Sequence, residues 1–114
     1  MIKVTLHNTG GWYGKHEQIN IAFVKHYKSD IFIHPECKLK PDQSINISGY
    51  KYFGNNRIAR NSRISIGSGG IGILISDLLL DDFSISNVDK VAEGIIVILL
   101  EHKTTNFKVL IKGA

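Results

Sequence analysis

An α/β fold class with a mixed sheet (α+β) is what this sequence predicts, and three patterns predict it. Short runs of β-branched and aromatic residues recur along the 114-residue chain, and Gly, Asn and Pro clusters punctuate them. One segment near the amino terminus instead carries its apolar residues at helical spacing. The opening order of strand, turn, helix and strand is a βαβ unit, whose handedness rule sets its two strands parallel in one sheet. The length suits one domain, 1–114, and an apolar content of 43% argues against disorder.

Each element has its own justification. Ile2, Val4 and Leu6 alternate with Lys3 and Thr5, and the turn chemistry of Asn8-Thr9-Gly10-Gly11 ends that strand. From Lys15 to Lys28, Ile19, Ala22, Phe23 and Tyr27, flanked by Ile21 and Val24, form one face of an amphipathic helix. Ile31, Phe32 and Ile33 make a buried strand expected to stop at His34, because Pro35 has no N–H to donate and biases its predecessor toward extended backbone. Glu36 is thereby delivered just past the carboxyl end of a core strand, where open α/β sheets keep their ligands. A polar loop from Cys37 to Ser48 follows, then an aromatic strand from Gly49 to Phe53, an irregular connection from Asn55 to Ser68, and a strand from Ile71 to Ile75. Asp81 to Val88 alternates less regularly, Gly94 to Glu101 is nearly all apolar, and the turn Thr104-Thr105-Asn106 returns the chain as an antiparallel strand from Phe107 to Lys112. Gly67, Gly69 and Gly72 satisfy G-x-G-x-x-G, but the pattern opens a β-branched strand and not a helix, so the dinucleotide reading fails on context.

Charge placement points to a class of partner. Between Gln43 and Ser76 there is no Asp or Glu, while Lys51, Arg57, Arg60 and Arg63 all fall there. The remaining ten lysines balance ten acids, so the whole net charge of +4 sits on this one segment and favours a phosphate-bearing partner. A single cysteine, Cys37, excludes an internal disulfide, and no basic-then-apolar leader opens the chain, so an intracellular setting is expected, nuclear if the partner is DNA. No apolar run reaches the length of a membrane span, and the five histidines lack metal-ligand spacing.

Several of these residues carry a resemblance. Asn8 after the first strand, Glu36 in Ile-His-Pro-Glu-Cys after the second, Gly49-Tyr50, the Arg57 to Arg63 segment, Ser68-Gly69-Gly70-Ile71-Gly72-Ile73-Leu74-Ile75 and Glu93-Gly94-Ile95 look like the amino-terminal half of the endonuclease/exonuclease/phosphatase superfamily. The nearest likeness is to the deoxyribonuclease-like endonuclease domains of non-LTR retrotransposons. The resemblance implies a truncated, partial form of a four-layer αββα sandwich. It also implies that Glu36 binds Mg²⁺ (or Mn²⁺), that Asn8 orients the active-site carboxylates or contacts the scissile phosphate, and that DNA is the partner of the full-length family member. Magnesium is commonly held by one or two carboxylates while keeping several waters, which suits a lone Glu36.

The sequence departs from the family pattern at two motifs. No Asp-x-Asn occurs, and Ser29-Asp30 and Ser76-Asp77 are followed by Ile and Leu where the family has Ser-Asp-His. Three readings follow. One is the amino-terminal part of a metal-dependent endonuclease, inactive as these 114 residues. A second is a non-catalytic nucleic-acid-binding module using Lys51 to Arg63, and a third is an interaction protein in which Glu36 is an ordinary strand-end acid. The first reading carries a structural expectation. If the strand from Gly94 and its hairpin partner pack on a sheet supplied by other sequence, Ile96, Ile98, Val109 or Ile111 should be unusually exposed, and the chain should self-associate through that face.

Overall fold

A computed structural model describes residues 2–35, 37–39, 42–55, 70–92 and 95–113, with the side chains of 91 and 92 excepted. Among the described residues, seven strands and two helices run in the order β1 (Val4–Leu6), α1 (Glu17–Tyr27), β2 (Ile31–Pro35), β3 (Tyr50–Asn55), β4 (Ile71–Ser76), α2 (Asp77–Asp82), β5 (Phe83–Ala92), β6 (Ile95–His102) and β7 (Lys108–Gly113). They form a four-stranded sheet of order β1-β2-β4-β3 and a three-stranded sheet of order β5-β6-β7. The βαβ expectation holds, since β1 and β2 pair in parallel with Val4 opposite Ile31 and Leu6 opposite Ile33. All the other pairings are antiparallel, so the first sheet is mixed.

Alternation assigns each face of the first sheet its own core. Ile31, Ile71, Ile73 and Ile75 point to one face and meet Ile96, Ile98, Leu100 and Ile111 of the second sheet, all of them buried. Phe32 and Leu74 point to the other face and pack with Trp12, Val24, Cys37, Leu39, Ile45 and Ile47. This arrangement corrects the exposure expected for Ile96, Ile98, Val109 and Ile111. The first, second and fourth are buried and Val109 is half-buried against the same cluster, because the sheet that covers them is β1 to β4 of this same chain. On the outer face of the second sheet, by contrast, Leu110 is exposed and Val97 and Leu99 are half-buried.

Local departures from the sequence reading are small and have physical causes. β2 runs one residue further than expected, with Pro35 paired opposite Ile71. A terminal strand position tolerates a residue without an N–H. The helix α2, which was not expected, is one short turn whose amino end is capped by Ser76, its hydroxyl accepting from the Leu78 amide at 3.2 Å. Its Leu79 plugs into the inter-sheet core, and the turn carries the chain from one sheet to the other. Among the described residues, no helix is long and apolar enough to cross a membrane.

Candidate nucleic-acid site at the carboxyl edge of β1 and β2

The parallel β1–β2 pair sets which loops meet. Its register offset, continued by the His7 amide donating to the Ile33 carbonyl at 2.9 Å, brings Asn8 level with Pro35. In the antiparallel ladders the same row reads Pro35, Ile71 and Asn55. Four chain segments therefore end at one edge of the sheet. They are the start of the β1–α1 loop, the residues flanking Glu36, the end of β3 and the start of β4. The connection of residues 56–69 departs from Asn55 and rejoins at Gly70, both at this edge.

The β1–α1 loop is held by a set of local bonds. Asn8 is exposed, and its Oδ1 accepts from the Gly10 amide at 3.0 Å, an Asx turn; Thr9 Oγ1 accepts from the Gly11 amide at 3.2 Å. Gly10 and Gly11 take φ of 63° and 113°, conformations that glycine reaches without strain. Asn20, buried on α1, donates its amide to the carbonyls of Trp12 (3.1 Å) and Gly11 (3.4 Å). The Trp12 amide donates to the Cys37 carbonyl at 2.8 Å, and the Tyr13 hydroxyl to the Ser44 carbonyl at 2.6 Å. The loop after β1 is thereby fastened to the chain on either side of Lys38, whose own φ of 53° makes a sharp turn. Between them lies a cleft of about 240 Å³ lined by Gly10, Gly11, Trp12, Tyr13, Lys38 and Gln43.

Two histidines sit beneath this edge. The His34 ring is fully buried, parallel to Phe32 at 5.8 Å and tilted against Trp12 at 5.2 Å. Its Nδ1 lies 3.1 Å from the His7 carbonyl, which can only accept, so Nδ1 carries the proton and Nε2 is bare. Burial pushes the His34 pKa down to about 4, the effect outweighing the bond to His7. The His7 ring stacks on Phe23 at 3.8 Å, and burial lowers its pKa too. Both imidazoles are therefore neutral at neutral pH, and they act as packing and alignment groups below the site. Burial likewise raises the Cys37 thiol, which leaves it unreactive.

Of the sequence-predicted site residues, Asn8 is placed at the mouth of this edge. Glu36, Arg57, Arg60 and Arg63 lie outside the described residues, and so does the expected approach of the Asn8 and Glu36 side chains. Lys51 is exposed on β3 with its ammonium 5.8 Å from the Phe53 ring centroid. It stands in the row of Ile75 and Ile31, at the far end of the sheet from Asn8, so the structure does not bring it to the site. Sequence reasoning passed over Lys38, Tyr13 and Asn20. The only signal for them was the glycine-rich run from Gly10 to Gly14, which demands a compact loop needing anchors. Among the described residues, no three His, Cys, Asp or Glu side chains gather to hold a metal ion.

With this geometry the chain is similar to solved structures that include two AP endonucleases. An AP endonuclease from Leishmania major superposes with a TM-score of 0.75 at 14% identity, over 99% of this chain and 39% of that one. The fold is that of a part of this AP endonuclease. A second AP endonuclease, from Archaeoglobus fulgidus, superposes with a TM-score of 0.58 at 17% identity, over 96% of this chain and 40% of its own. The chain thus spans about two fifths of the length of either structure. No family model matches the chain, and no curated protein sequence does.

Proposed function

We propose that this chain is part of a divalent-metal-dependent endonuclease of the endonuclease/exonuclease/phosphatase superfamily, of the type carried by non-LTR retrotransposons, acting on phosphodiester bonds of DNA. The observation that carries the reading is the shared edge: Asn8, Pro35 immediately before Glu36, and Asn55 and Ile71 at the two ends of the connection bearing the arginines sit in one row of one sheet. In this reading Glu36 holds the Mg²⁺. The metal, when bound, neutralises charge on the phosphate. Asn8 uses its Oδ1 within the loop and keeps its amide N–H groups for a phosphate oxygen. Lys38, Arg57, Arg60 and Arg63 supply positive charge along the backbone path, and neutral His7 and His34 keep the two loops aligned from below.

A second reading is favoured by one specific feature of the sequence, the lack of both Asp-x-Asn and Ser-Asp-His. Without a group to ready the water, loss of about 10² to 10⁴ in rate is expected, and the chain by itself binds nucleic acid without cleaving it. Titration calorimetry with Mg²⁺ or Mn²⁺, alongside duplex-binding and nicking assays, tests both. Metal binding lost in Glu36→Gln, with no nicking by the 114-residue chain, is the expected result. Unchanged metal binding in Glu36→Gln combined with salt-sensitive, metal-independent DNA binding would favour the binding module. Nicking by this chain that disappears in Glu36→Gln would refute the claim of inactivity.

A further inference from the structure

The cleft between the loop after β1 and the chain after Pro35 is bounded on both sides by this chain's own loops, and hydrogen bonds fix its width. The Trp12 amide bonds across to Cys37 and the Tyr13 hydroxyl to Ser44, while Asn20 ties the same loop to α1. Its volume of about 240 Å³ falls below the ~300–1,000 Å³ of sites for drug-sized ligands. A cleft of that size suits one ring system and excludes a larger ligand.

The walls carry two kinds of chemistry. Tyr13 belongs to the loop after β1, yet its hydroxyl donates to the Ser44 carbonyl at 2.6 Å, so the ring bridges the two sides of the cleft. It is 42% exposed in that position. A ring held at its far end has little rotamer freedom left to lose when a flat group stacks on it. Gly10 and Gly14 add no bulk, since a Cβ at either would meet nothing within 4 Å. Lys38 lays its stem along Gly11, where a Cβ would meet its Cδ at 3.4 Å, and its ammonium has no ion-pair partner among the described residues. Among those residues no Asp or Glu lines the cleft. An accessible aromatic ring beside an uncompensated cation is the combination that takes a nucleobase together with its phosphate.

We propose that this cleft is a subsite for one unpaired nucleotide next to the phosphate under attack, with Tyr13 stacking on its base and Lys38 meeting its phosphate. Gly10 follows Asn8 by two residues and Lys38 follows Glu36 by two. Two residues span at most about 7 Å of chain, so the cleft adjoins the edge from which the site is built. A base within a continuous duplex is stacked on its neighbours and must be taken out of the helix before it reaches Tyr13, a cost that is least for a base already unpaired. The subsite therefore selects DNA that carries an unpaired base over a fully paired duplex. This inference rests on the reading of the edge as a nucleic-acid site and narrows its substrate class.

The test is fluorescence anisotropy with the 114-residue chain at low salt and without metal. The probes are a blunt DNA duplex, the same duplex with one unpaired adenine at its centre, and a third with a base-free sugar in place of that adenine. The adenine bulge is expected to bind about five- to tenfold tighter than the other two. Tyr13→Leu, which keeps apolar bulk without an aromatic face, should lose that preference while binding the blunt duplex as the parent chain does, which also reports an intact fold. Tyr13→Phe should keep most of the preference, and Lys38→Gln should weaken all three probes by a similar factor. Equal affinity for the three probes, or a preference that survives Tyr13→Leu, would overturn the inference and leave the nucleic-acid reading standing. Binding of none of the three would remove that reading, and the subsite with it.

Discussion

The two faces of the first sheet are built from different chemistry. The face toward the second sheet is aliphatic, with Ile31, Ile71, Ile73 and Ile75 against Ile96, Ile98, Leu100 and Ile111. The face under α1 mixes aromatic, thiol and polar groups: Trp12, Phe32 and Cys37 pack there, and His34 and Asn20 are buried with them. The aliphatic face asks only for shape, and its strength depends on burial and tight packing. The mixed face holds two loops in place through directional bonds, and each of its polar groups must keep its partner or its charge state. The sheet is thus a stable support on one side and an alignment device for the candidate site on the other.

The largest effect that separates the faces is on the aliphatic side. Ile98→Ala, at a fully buried position, is expected to cost about 2–5 kcal/mol, measured by urea unfolding, and to cost the same at pH 5 and pH 8 because no titrating group is touched. A cost that depended on pH would break the contrast.

On the mixed face the signature is pH. His34 has a folded pKa of about 4 against an ordinary value of 6.5, so the neutral form is the one the fold accepts. Between these values the unfolded chain binds more protons, and stability rises with pH. The contribution is whole above about pH 6.5 and is lost as pH falls through the window to about 4, amounting to about 3 kcal/mol at 1.36 kcal/mol per unit. His34→Leu should flatten the stability curve between those limits, leaving the part due to His7. An unchanged acid slope in the variant would show that His34 is not the group that resists protonation.

How much of this was legible in the sequence follows the same division. Alternation and short β-branched apolar runs find strands, so β1, β2, β4, β6 and β7 were placed within a residue or two, and the βαβ rule gave the parallel pair. The covering of Ile96, Ile98 and Ile111 was misread, because alternation tells which residues share a face and not which sheet lies over it. Helix α2 was missed since one capped turn of Asp-Leu-Leu-Leu has no period to detect. At the site, Asn8 was found through turn chemistry. Lys38 and Asn20 were not, because their roles depend on a tertiary approach between the loop after β1 and the chain after Pro35.

A smaller effect tests the anchoring of that loop. Asn20→Ala removes the donor shared by the Trp12 and Gly11 carbonyls, leaving a buried acceptor without its partner. The expected cost is about 1–3 kcal/mol, accompanied by faster exchange of the Trp12 amide, whose bond to the Cys37 carbonyl depends on the loop staying in place. Destabilisation with the Trp12 amide still protected would mean that the loop is held by Trp12 packing alone.

The smallest expected change in stability belongs to Asn8→Asp, and it sharpens the comparison most. The Asx turn needs only a side-chain oxygen to accept the Gly10 amide, and Asp supplies one, so the fold should change by no more than about 0.5 kcal/mol, as for an exposed substitution. What changes is the electrostatics of the edge. The amide N–H groups are lost, and a carboxylate enters the row from which the segment proposed to receive phosphate departs. If the edge is a nucleic-acid site, duplex binding at low salt should weaken several-fold while the unfolding midpoint stays put, and Asn8→Ala should cost a little stability but less binding, since it adds no charge. The three chains differ at one exposed atom group, so the ranking is informative. Equal binding by the parent chain and both variants would leave Asn8 as turn chemistry alone.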